Sequence, residues 1–166
     1  MNKKNIVVLA IITLLVVVIT VLLVQRRQAA TSDDALGALF FRGLEQKLND
    51  VATVEIVQGK NRITLQRDGE IWRFKEKGGY PADFDKLKPL VLSIANLLSV
   101  EAKTTKPDQY AKLGVTDPAA EDAVHPGVTL KDAGGTTLAA LVIGEAHDSD
   151  DGVRKQVYVR RLNEAQ

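Results

Sequence analysis

The chain contains no cysteine. That excludes a disulfide framework, thiolate zinc or iron–sulfur ligation, and a cysteine nucleophile. Histidine is nearly as scarce: there are two, His125 and His147, and neither has a second histidine or a cysteine at ligand spacing. Aromatic residues are few, with four Phe, three Tyr and the single Trp72, enough for a modest core. An excess of basic charge is also missing. Of the 22 Lys and Arg residues, Lys3, Lys4, Arg26 and Arg27 lie in residues 1–27, which hold no acid. The remainder carries 18 basic against 21 acidic groups, a net of −3. A mildly acidic body lacks the field that nucleic-acid binding requires, so nucleic acid is not expected as a partner.

What the sequence does have is one long apolar run. Ile6 to Val24 holds only apolar side chains apart from Thr13 and Thr20, and includes Leu14 and Leu15. Nineteen helical residues span roughly 29 Å, close to a bilayer's hydrocarbon thickness. The run is longer than a signal-peptide core, and Arg26-Arg27 follows it where small residues would mark a cleavage site. The expectation is an uncleaved signal anchor, a single-pass transmembrane helix over about 6–24, with the lipid bilayer as a partner. The two lysines place the amino terminus in the cytoplasm and the following domain outside, by one charge. The expected organisation is an anchor over 1–27, a juxtamembrane linker and short helix over 28–50, and a soluble α+β domain over 51–166, incomplete at its carboxyl end.

Within 51–166, alternation predicts strands. Val54 and Ile56 share one face, as do Ile63 and Leu65, and then Trp72 and Phe74. Asp68-Gly69 reads as a hairpin turn. Asp83 is set to cap a long amphipathic helix reaching about Leu98, with a stripe formed by Phe84, Leu87, Leu90, Val91, Ile94, Leu97 and Leu98 and with Pro89 as a kink. A second meander follows at Val128–Lys131, Thr137–Ile143 and Arg154–Arg161. The expected fold class is therefore α+β: antiparallel β-meanders packed by one long amphipathic helix after the transmembrane segment. Val54, Ile56, Ile63, Leu65, Trp72, Leu87, Val91 and Ile94 are the expected core. A short segment, Pro107–Leu113, reads as a helix with Pro at its start and Gly114 just past its end.

No catalytic constellation emerges. Ser32, Ser93, Ser99 and Ser149 sit in no nucleophile-elbow context, and the Gly-Gly pairs lack the phosphate-loop pattern and its lysine. The loop over 145–152 gathers the metal-competent residues Asp148, Asp150 and Asp151. A calcium loop with Gly152 at its sixth position would put His147 first and Tyr158 twelfth, so the pattern fails. A solvated acidic loop is the simpler reading, and a ligand- or metal-binding domain using that loop stands as the alternative. No cofactor is expected, and Arg160-Arg161 reads as an exposed strand end.

The segments Leu48-Asn49-Asp50-Val51-Ala52, Trp72, Tyr80-Pro81-Ala82-Asp83 and Leu113-Gly114-Val115-Thr116-Asp117-Pro118 together resemble a bacterial membrane-anchored family, designated domain of unknown function four-three-four-zero. Phe41-Arg42 departs from it, since the family usually shows a proline before Gly43. The resemblance implies further chain beyond Gln166, beginning with a Trp-Leu-Val-like strand. It also implies a non-enzymatic, membrane-tethered accessory domain of the cell envelope, partnering ABC transporter subunits of the gliding-motility auxiliary type. It carries over no catalytic residues.

Overall fold

The computed structural model describes residues 37–149, 152 and 155–162. The chain divides into two compact units, one of residues 1–40 with 98–102 and one of 41–97 with 103–166. In the first, the described residues form a short antiparallel bridge. Leu39 pairs with Leu98, Gly37 N–H donates to Ser99 O at 2.7 Å, and Ser99 N–H donates to Ala38 O at 2.9 Å.

The second unit is built on one antiparallel sheet. Its strands are β1 (Val51–Gln58), β2 (Asn61–Asp68), β3 (Ile71–Phe74), β4 (Tyr80–Pro81), β5 (Gly127–Asp132), β6 (Thr137–Asp148) and β7 (Lys155–Arg161), in the order β4-β3-β2-β1-β5-β6-β7. Each expected meander is present, and the two are fused. The first strand of one, β1, lies antiparallel to the first strand of the other, β5, with Val54 opposite Leu130 and Ile56 opposite Val128. The turn between β2 and β3 falls one residue later than expected. Asp68 pairs with Ile71, so Gly69-Glu70 makes the turn, and Gly69 alone takes a positive φ of 63°. Glycine at the first central position is what such a two-residue turn asks for.

One α-helix, α1 (Phe84–Ala95), covers part of the sheet. The Asp83 carboxylate accepts from Asp85 N–H at 3.1 Å, an N-cap that satisfies one of the helix's orphan donors. Leu87, Ile94 and Ala95 point into a core shared with Val54, Leu65, Trp72, Leu130, Ala139 and Leu141. The chain leaves the helix at Asn96, whose side-chain amide donates to Leu92 O at 3.0 Å.

The expectation of an α+β domain with a long amphipathic helix is therefore corrected. The second unit is mostly antiparallel sheet, and its helix is 12 residues, about 18 Å. Of the short helix expected before residue 50, the described part is a 3-10 segment at Glu45–Asp50, and the short helix expected at Pro107–Leu113 is also 3-10. The apolar stripe of α1 stops early because Leu98 is taken into the bridge with Leu39.

The expected single-pass membrane placement finds no support among the described residues. Among the described residues no helix is long and apolar enough to cross a membrane. The expected anchor, with Ile6, Leu14, Leu15 and Val24, lies outside them.

Of the expected core, Val54, Leu65, Trp72, Leu87 and Ile94 are buried. Ile56 and Val91 pack partly buried against that core, while Ile63 sits at its rim, 42% exposed. Ile63 shares the inward face through its pairing with Ile56, but it lies beyond the core cluster that α1 joins.

Beyond Phe74, β3 gives way to a 3-10 turn (Lys75–Lys77), and Glu76 reaches back to β2. Its carboxylate accepts the Thr64 N–H at 2.8 Å. The Thr64 hydroxyl first, and then that N–H, hold the Glu76 carboxyl below its usual value of 4.5. A lowered folded-state pKa stabilises the fold above the ordinary carboxylate value and loses that contribution as pH falls through the folded value. Glu76→Gln is accordingly expected to lower stability to urea at pH 7, by an amount that shrinks as pH falls below the ordinary carboxylate value. A loss that does not shrink with falling pH would refute the assignment.

Candidate functional site

The half of the sheet formed by β5, β6 and β7 is covered on its second face by the segment that carries the Leu-Gly-Val-Thr-Asp-Pro motif. Residues of β6 alternate between faces. Ala139 and Leu141 enter the core shared with α1, whereas Ala140 and Val142 turn the other way and are still buried. Pro118 explains part of that burial. A Cβ on Gly127, the register partner of Val142, would come within 2.5 Å of the Pro118 ring. Val115 explains more, since a Cβ on Gly144 would lie 2.7 Å from its side chain and would collide with the Leu113 carbonyl oxygen.

Local chemistry sets the path of this segment. The 3-10 segment Pro107–Leu113 ends at Gly114, whose φ of 68° is left-handed, with Val115 N–H donating to Tyr110 O at 3.0 Å. Asp117 then makes an Asx turn, its carboxylate accepting Ala119 N–H at 2.9 Å, and Pro118 O accepts Gly59 N–H at 2.8 Å.

Arg160 on β7 locks the segment down. Its Nε donates to Val115 O at 2.7 Å and its Nη2 to Thr116 O at 3.3 Å. Its guanidinium lies 4.9 Å from the centre of the Tyr110 ring, within cation–π range. Arg161 lies 5.8 Å from the centre of the Phe41 ring. The reading of both arginines as an exposed strand end is thus corrected. No local pattern carried these contacts, because Arg160 and Val115 are 45 residues apart.

Only part of the acidic loop lies among the described residues. Asp148 ends β6 opposite Lys155, and Asp150 and Asp151 lie outside the described residues. Among the described residues no three His, Cys, Asp or Glu side chains are grouped to hold a metal ion. His147 stacks on Tyr158, with ring centroids 4.3 Å apart and planes 14° from parallel, and its Nδ1 is buried without a hydrogen-bond partner. His125 packs beside Gly114. A shallow, open depression of about 470 Å³ carries Lys103, Lys106 and Lys112 with Asp108, whose carboxylate accepts from Gln109. No acid–base pair converges there.

What remains is an edge. Among the described residues β7 is the last strand of the sheet, paired with β6 through Leu141–Arg161, Val142–Arg160, Ile143–Val159, Ala146–Val157, His147–Gln156 and Asp148–Lys155. Which backbone groups point outward follows from two bonds. Leu162 N–H donates to Ala140 O, and Ile143 N–H turns away from β7 to Pro126 O. In an antiparallel ladder the residues alternate, so Arg160 bonds towards β6 while Val159 and Val157 direct their N–H and C=O to the open side. At the opposite end the edge is β4, only two residues long and closed by Pro81, a blunted end of the kind that resists pairing. Within Lys155–Arg161 the longer β7 edge carries no proline.

No curated protein and no solved structure matches the chain. The family described as Domain of unknown function (DUF4340) matches residues 72–166, from β3 through the motif segment to β7. With more than half of its length matched, the chain belongs to that family of unknown function.

Proposed function

We propose that this chain is a non-enzymatic interaction domain that docks a partner protein along β7. The observation that carries this reading is the seven-residue edge strand, whose Val157 and Val159 backbone groups find no strand beyond them among the described residues. Strand addition gives affinity through main-chain hydrogen bonds and specificity through alternate side chains. The motif residues support it from beneath: Tyr110, Val115 and Thr116 hold Arg160 and so fix the twist and position of the edge. ABC transporter subunits, the partners suggested by the family resemblance, are the first to be sought.

The experiment is a pull-down of the tagged chain in mild detergent from cells of its source, with retained proteins identified by mass spectrometry. Val159→Pro is the informative variant. It removes an N–H that faces outward, so the β6–β7 ladder keeps its bonds while the edge loses a donor. Transporter subunits are expected with the unaltered chain and to be lost by roughly tenfold with the variant. Equal recovery with both would show that docking uses another surface, and recovery of nothing would remove the interaction reading.

A further inference from the structure

We draw no further inference here: the strongest candidate, the open depression beside the 3-10 segment Pro107–Leu113 that carries Lys103, Lys106 and Lys112, carries nothing, because Lys103 is already engaged in an interaction of its own and nothing in the structure shows what the remaining surface lysines would hold.

Discussion

Leu130→Ala is expected to destabilise the chain by about 2–5 kcal/mol. Leu130 is fully buried on β5, opposite Val54 on one side and Ala139 on the other. It therefore packs at the junction of the two meanders, where both halves of the sheet and α1 meet. Its neighbours are held in ladder positions and cannot collapse into the space, so the cavity remains. Urea unfolding followed by the fluorescence of Trp72, the only tryptophan and itself buried, gives the measurement. Leu92→Ala, on the exposed side of α1, should stay within about 0.5 kcal/mol. A loss at Leu130 no larger than that at Leu92 would mean that the junction is not part of the core.

Gly144→Ala is expected to cost about 1–3 kcal/mol by overpacking. The added methyl would meet the Leu113 carbonyl and the Val115 side chain at once, with the Tyr158 carbonyl 3.1 Å away. Two of these three obstacles are backbone, which cannot rotate aside. Either the motif segment lifts from β6 or the bulge between Ile143 and Ala146 flattens. Gly135→Ala supplies the comparison. Its Cβ meets nothing within 4 Å, and only its φ of 83° opposes a side chain, which costs on the order of 1 kcal/mol. Amide hydrogen exchange should separate the two. Gly144→Ala is expected to raise exchange in residues 113–118 and along β7, and Gly135→Ala only at the β5–β6 turn. Unchanged exchange at 113–118 in the first variant would contradict the packing described.

The strands were legible because each carries its own alternation. Val54 and Ile56, or Ile63 and Leu65, declare their face within four residues, and turn glycines mark where each strand stops. Fusion of the meanders was not legible. β1 and β5 are joined by pairings across 70 residues or more, and nothing in the local pattern of either names the other. The length of α1 was misjudged for a related reason. Leu97 and Leu98 continue the helical period, but Leu98 is claimed by pairing with Leu39, and a tertiary contact outweighs a few tenths of a kcal/mol of helical preference. At the candidate site, the Leu-Gly-Val-Thr-Asp-Pro run stood out by resemblance without revealing its job. Its job is contact: a left-handed glycine, an Asx turn and a proline set against Gly127 and Gly144. Arg160 was hidden most completely, because an arginine at a strand end reads as solvated until its distant carbonyl acceptors are known.

The fusion of the meanders also shapes how the molecule comes to be made. Each three-stranded meander closes through short turns and can form early, whereas β1 must find β5 across a long loop that includes α1. Loop closure of that length is slow relative to hairpin formation. The half-buried ion pair between Glu55 and Lys131, 2.8 Å apart and 76 residues separated, can form only after that event. Until then β1 and β5 are both naked edges of complementary register. In a crowded, newly synthesised population, another molecule's β5 competes with its own for β1, and the closer the protein concentration comes to the effective concentration set by the loop, the more so. Exchange of half-sheets between molecules is thus the characteristic misassembly of this architecture, and its frequency rises with concentration and falls with any change that speeds closure.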